Sequence, residues 1–122
     1  MMWKAVENRT MKSQHLAVVL GLALGILAPA IELFVAPGGN DAWSGLLAEP
    51  NQAGTDGPLA TLPRARDVVR ERRGKDGDPE PVTVTLRGGT HVLAETFELT
   101  AEDSGTRACP VTYRAFPGEI VV

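Results

Sequence analysis

Hydrophobic and polar positions divide the chain into stretches of different period. From Leu16 to Ala30 (LAVVLGLALGILAPA) there is no charge, and from Ile31 onward apolar and polar residues mix. Glu32 to Ala36 (ELFVA) predicts a short strand, apolar and in part β-branched or aromatic. Thr61 to Arg72 predicts an amphipathic helix. Leu62, Ala65, Val68, Val69 and the stem of Arg72 form one stripe at three- and four-residue spacing, opposite a charged face. Thr61 suits the N-cap, and Pro63 is tolerated because first-turn N–H groups lack an intrahelical partner. Beyond it, Val82, Val84 and Leu86 alternate with Thr83, Thr85 and Arg87, the period of a strand with one buried face. His91 and Leu93 share a parity, as do Phe97 and Leu99, and all four are expected inward. Val111, Tyr113 and Ala115 repeat the pattern with Thr112 and Arg114 outward, and Ile120 to Val122 begins a further strand.

The segments between are built from breakers. PGGNDAWSGLLAEPNQAGTDGP is a long polar loop, GKDGDPEP ends the helix, and Gly88-Gly89, Asp103-Ser104-Gly105 and Pro117-Gly118 are turns. Short strands with few two-residue hairpin signals fit either a meandering sandwich or a solenoid whose strands line successive faces of one coil. A solenoid needs its end covered, and the Leu62–Val69 helix is a suitable lid. About three repeats are the usual minimum for a continuous core, so residues 31–122 are expected to be the first coils of something longer.

The apolar run reads as an export signal. Lys12 supplies the positive segment, Leu16 to Leu27 the apolar one, and Ala28-Pro29-Ala30 a small-x-small cleavage site, so residues 1–30 form a signal peptide. Met11 is a more natural start than Met1. Cleavage near Ala30 sends residues 31–122 to a periplasmic, extracellular or cell-surface destination, with the membrane met only during export. An uncleaved anchor is the competing reading. It is disfavoured because a spanning helix wants roughly twenty apolar residues, and Pro29 and Glu32 interrupt any extension.

Composition narrows the chemistry. The net charge of −3 and the scattered Arg residues do not make a phosphate-binding surface, so no nucleic-acid partner is expected. The basic run RARDVVRERR, with Asp67 and Glu71 interleaved, reads as a solvated helix face. Cys109 is the only cysteine and reads as a small buried hydrophobe; a nucleophilic thiol would need His91 as partner, and no motif surrounds either. Asp76, Asp78 and Glu80 lack the spacing of a calcium loop. Glu95, Glu98, Glu102, Asp103 and Glu119 sit at turns or outward positions and read as solvated, and Ser104 as a turn residue. Trp43 is the one candidate carbohydrate contact, because an aromatic face suits the apolar face of a sugar; anchoring the long loop against the helix is its other role. No catalytic, cofactor-binding or metal-binding residue is assigned, and no oligomeric state follows from the sequence.

FVAPGGNDAWSG, GPLATLPRARDVVRE, VTVTLRGGTHVLAETFELTAEDSGT and PVTYRAFPGE together resemble the N-terminal segment of exported right-handed parallel β-helix proteins. These form the pectate-lyase-like superfamily of glycoside hydrolases and polysaccharide lyases. The resemblance runs from about Phe34 to Val122. It rests on the loop Gly39-Asn40-Asp41 after the first strand, the helix after it, and a Gly-Gly-Thr-Tyr pattern in which His91 replaces the tyrosine. It implies a mainly β fold, the first coils of a β-helix under a capping helix, in a secreted protein acting on polysaccharide or oligosaccharide. In such a protein this segment is structural. Calcium, where a longer parent uses it, is implied only outside this segment. A non-catalytic β-helix surface or binding protein, or an inert truncated reading frame, fits the same residues, because this fold hosts several chemistries.

Overall fold

The computed structural model describes residues 30–75 and 80–122. The predicted signal segment therefore lies outside the described residues, save Ala30, as do Asp76 and Asp78. No helix among the described residues is long and apolar enough to cross a membrane.

The described chain is mainly β: three parallel strands and one helix. Strand β1 is Ile31–Val35, the helix α1 is Leu62–Lys75, β2 is Val82–Leu86 and β3 is Val111–Ala115. The sheet order is β1-β2-β3, so each strand lies beside its predecessor in the chain. The register has no stagger. Ile31 pairs with Val82 and Val82 with Val111; Leu33 pairs with Val84 and Val84 with Tyr113. Like residues therefore stack in rows across the sheet, and the alternation read from the sequence becomes one inner face. Two single bridges, Val35 to Leu59 and Gly89 to Val121, extend the parallel pairing past the strand ends.

The core lies between that face and the helix. Leu33, Val35, Leu59, Val82 and Val84 are buried with Ala65, Val68 and Val69 of α1, while Ile31, Leu86, Val111 and Tyr113 pack at its margin. Burying each Val or Leu fully contributes roughly 1.5–3 kcal/mol, which is why this stripe decides how α1 sits. Thr61 caps the helix as expected: its Oγ1 accepts the Arg64 N–H at 3.3 Å. Asp41 reinforces that cap from the preceding loop. Its Oδ1 accepts the N–H groups of Ala60 (2.8 Å) and Thr61 (3.0 Å), and its Oδ2 accepts the Thr61 hydroxyl (2.8 Å).

The connection from β2 to β3 departs from the expected strands. Residues 91–100 have no regular structure, and Leu93 and Leu99 are about half exposed instead of inward. The reason is local: Gly89 has φ +117 and bends the chain, which stays bonded to Ile120–Val122 as far as His91, and among the described residues no strand pairs with the residues beyond it. Phe97 does turn inward, edge-on to Tyr113 at 6.0 Å between ring centroids. Thr85, predicted on the wet face, is fully buried because β2 is the central strand and Glu32 and Arg114 close over it.

Gly39 is the tightest point of the loop after β1. A Cβ there would overlap the backbone carbonyls of Leu59 and Pro58, which no side-chain rotation can relieve. Gly39→Ala should therefore destabilise the chain by about 3 kcal/mol, in the range of overpacking against backbone. Urea unfolding followed by tryptophan fluorescence measures it, and a midpoint equal to that of the parent would contradict the assigned loop path.

Candidate functional site

Trp43 lies in the long loop between β1 and α1. That loop is ordered by its own polar residues: Asn40 Oδ1 accepts the Ala42 N–H at 2.8 Å, and Asp56 Oδ1 accepts the Ser44 N–H at 2.8 Å while its Oδ2 accepts the Ser44 hydroxyl at 3.0 Å. The Ser44 hydrogen bonds hold the Asp56 carboxyl below its usual pKa. Trp43 packs its ring against Gly57, where any Cβ would fall within 2.7 Å of the ring. The indole is half-buried, so its first role is to fasten the loop. It also lines an open cleft of about 300 Å³ between the loop and α1, with Ser44, Arg64, Glu71, Arg72 and Glu80. Arg64 pairs with Glu71 at 3.1 Å and Arg72 with Glu80 at 3.7 Å along that cleft. An aromatic surface beside planar polar groups is chemically suited to a sugar ring.

The strongest electrostatics lie elsewhere. Arg70 forms a bidentate pair with Asp103, donating Nε at 2.7 Å to Oδ1 and Nη2 at 2.6 Å to Oδ2. Asp103 Oδ2 also accepts the Thr100 N–H at 2.7 Å. Arg66 donates to the Glu98 carbonyl at 3.0 Å, and Arg73 to the carbonyls of Ser104 (3.0 Å) and Cys109 (2.9 Å). The charged face of α1, expected to be solvated, thus holds down the β2–β3 connection. Asp103, expected at an exposed turn, is buried for the same reason.

Arg87 makes a second clamp. It donates Nε to Glu119 at 2.8 Å and Nη2 at 3.1 Å, donates Nη1 to the Ala48 carbonyl at 2.6 Å, and stacks over Phe116 at 4.4 Å. Glu119 accepts the Gly88 N–H as well, at 3.0 Å. A third cluster crosses the outer sheet face, where Glu32 Oε2 accepts the Thr85 hydroxyl at 2.6 Å and Arg114 Nη2 at 2.9 Å.

These contacts decide what the carboxyls can do. Hydrogen bonds from Arg70 hold Asp103 well below the usual carboxylate range; those from Arg87 and Gly88 take Glu119 down to about 2; those from Thr85 and Arg114 lower Glu32. Each shift favours the anion. A general acid for glycoside cleavage needs the opposite, a carboxyl kept protonated near neutral pH. In all three clamps arginine holds the carboxylate as the anion, which does not suit it to the general-acid role.

The remaining candidates stand apart. His91 Nε2 lies 2.8 Å from the Arg87 carbonyl, and its backbone N–H donates to Val122 at 2.8 Å. Cys109 is buried beneath α1, its N–H donating to Thr106 Oγ1 at 3.0 Å and its carbonyl accepting Arg73. His91 Nδ1 has no hydrogen-bond partner among the described residues and Nε2 meets a carbonyl, so the imidazole is not bonded to a thiol. Glu95, Glu98 and Glu102 are exposed. Among the described residues no group of three or more His, Cys, Asp or Glu side chains is placed to hold a metal ion.

No family model matches the chain, and no curated protein matches it. Among solved structures it is similar to one described as a glycoside hydrolase, with 33% sequence identity over 75% of this chain and a TM-score of 0.61. The chain spans 14% of that protein's length.

The clamps make stability depend on acidity with a defined sign. Glu119 has an ordinary pKa of 4.5 and is lowered to about 2 in the fold, so its contribution is full above pH 4.5 and is lost as pH falls toward 2. Asp103, Glu32 and Asp56 shift the same way. In urea melts across that window, the stability difference between the parent and Glu119→Gln should be full above pH 4.5 and vanish near pH 2. A difference that stays constant with pH would mean that the carboxylate charge is not what Arg87 binds.

Proposed function

We propose that residues 31–122 are the capped N-terminal part of a secreted right-handed parallel β-helix protein that acts on polysaccharide. The observation that carries this reading is the likeness to a glycoside hydrolase at 33% identity, in which a region of this size is 14% of the chain. Three parallel strands in chain order and without stagger support the coil geometry, since each return to the sheet adds a strand beside the last. The helix supports the cap: its Ala65-Val68-Val69 stripe closes the core on the β1 side, where a coil would otherwise expose Leu33 and Val35. The segment is a scaffold in this reading. Its carboxyls serve arginine, and the groove that meets the sugar chain belongs to coils outside residues 31–122.

Trp43 is assigned a secondary, non-catalytic sugar contact, supported by its place in the cleft beside Arg64, Glu71, Arg72 and Glu80. Residues 1–30 are assigned to export, on the charge-free run Leu16–Ala30 and the Ala28-Pro29-Ala30 site.

Two experiments test this reading. Replacing the matching region of the similar glycoside hydrolase with residues 31–122 should yield a soluble hybrid that retains hydrolysis within about tenfold, since one order of magnitude corresponds to a modest repositioning cost. A hybrid that folds cooperatively but has lost hydrolysis altogether would remove the claim that the segment is an interchangeable cap. For export, expression of the full chain in a secreting host should release a polypeptide whose first residue is Ile31; one retained in the membrane with Ala30 uncleaved would favour the anchor.

A further inference from the structure

The cleft beside Trp43 sits at the β1 edge of the sheet. Phe34 of β1 donates to the Gly45 carbonyl at 2.7 Å and accepts from Leu59 at 2.9 Å, so the loop that carries Trp43 covers that edge. In the order β1-β2-β3 this is the far side from β3, where the proposed further coils would add. Trp43, Leu46 and Val68 give the cleft, of about 300 Å³, an apolar wall. Leu46 is half exposed, and the Trp43 ring is fixed with Cε3 and Cζ3 against Gly57. The volume is at the lower end for small-molecule sites, which suits one or two sugar units and not a long chain.

Four charged side chains line the cleft, and each already has a partner. Arg64 donates Nη1 to Glu71 at 3.1 Å and Nε to the Asp41 carbonyl at 3.2 Å, so it is held at two points. Arg72 Nε lies 3.7 Å from Glu80. Two arginines facing two glutamates carry no net charge. A sugar carboxylate entering here meets guanidinium groups that already face a carboxylate. It binds them only by setting Glu71 or Glu80 free, which exchanges one ion pair for another. An amino sugar meets the same obstacle with the sign reversed. A hydroxyl group is both donor and acceptor, so it can accept from an arginine and donate to the paired glutamate without separating them. The C–H face of a pyranose then has Trp43 and Leu46 to rest on.

We propose that the Trp43 cleft takes a neutral pyranose, as a mono- or disaccharide unit, and disfavours uronates and amino sugars through its Arg64–Glu71 and Arg72–Glu80 pairs. The proposal rests on the sugar contact assigned to Trp43 and adds the class of sugar. Both pairs are exposed, so the selection amounts to about tenfold at low salt and shrinks as salt screens the charges.

Trp3 and Trp43 are the two tryptophans of the chain, so the full chain with Trp3→Phe reports on Trp43 alone. Titrated at pH 7 and low salt, cellobiose should change its fluorescence saturably, with a Kd of about 1 mM or weaker. Digalacturonate should bind about tenfold more weakly still. Glu71→Gln leaves the Arg64 guanidinium without its carboxylate and should tighten digalacturonate binding about tenfold, a gain that about 0.5 M NaCl should remove. Glutamine matches glutamate in helix propensity, so the melting temperature should stay close to that of the parent. Digalacturonate binding as tight as cellobiose, or tighter, would overturn the neutral class while leaving a sugar contact at Trp43 in place. A Glu71→Gln chain with an unchanged preference would remove the ion pairs as selectors and the proposal with them. Fluorescence unmoved by either sugar up to about 50 mM would overturn both the class and the contact.

Discussion

The pair of Arg70 with Asp103 ties together the two halves of this structure. The helix is fastened to the sheet by an apolar stripe, but the β2–β3 connection has almost no apolar attachment of its own: residues 91–100 lack regular structure, and Leu93 and Leu99 are half exposed. What holds that long excursion in place is a row of guanidinium groups. Arg66, Arg70 and Arg73 recur at the spacing of one helix face and reach Glu98, Asp103, Ser104 and Cys109 in order along the connection. The only bond in that row made by two charged groups in bidentate geometry is the one to Asp103, and such pairs are roughly twice as strong as neutral hydrogen bonds. It fixes the middle of the connection, and the ladder to β2, beginning at the Pro110 carbonyl, fixes the start of β3.

The same logic explains why so many carboxyls in this chain are chemically quiet. Asp103, Glu119 and Glu32 each accept from an arginine and from at least one further donor, and every added donor pulls the pKa down. A scaffold made of short strands and long excursions cannot rely on apolar burial alone, because each excursion carries backbone groups that need partners. Arginine supplies several donors from one side chain, and Arg87 uses three of them, two on Glu119 and one on the Ala48 carbonyl, while its plane stacks on Phe116. A carboxylate enlisted in that work is no longer available as an acid near neutral pH.

Much of this was legible in the sequence, in proportion to how local the cause is. The two strands Val82–Leu86 and Val111–Ala115, the Thr61 cap and the Ala65-Val68-Val69 stripe depend on neighbours a few residues away, and the structure has them all, although Ala115, read as inward, is exposed. Contacts that depend on distant chain were not read. Thr85 is buried because the strand is central, which alternation cannot express, and Leu93 and Leu99 have inward parity but no sheet to enter. Asp103 had a local signal that went unused: Thr100-x-x-Asp103 matches the capping-box spacing, and the carboxylate does reach back to the Thr100 N–H. The arginine row could also have been found, since Arg66, Arg70 and Arg73 flank the apolar stripe at three- and four-residue spacing, where a solvated face has no need of such order.

Trp43 shows how one residue's structural role shapes any binding role. Its ring is committed to Gly57, so the indole is held in one orientation before any ligand arrives, and a pre-set aromatic surface gives up little conformational freedom on contact. The ion pairs Arg64–Glu71 and Arg72–Glu80 beside it are exposed, so each contributes little to stability, and a hydroxylated ligand could exchange bonds with them at small cost. The cleft combines a rigid apolar wall with replaceable polar partners. The arginine clamps have the reverse character, bidentate and partly buried, and exchange there would dismantle the fold. That contrast supports the loop side of the helix, and not the carboxylates, for the sugar contact proposed at Trp43.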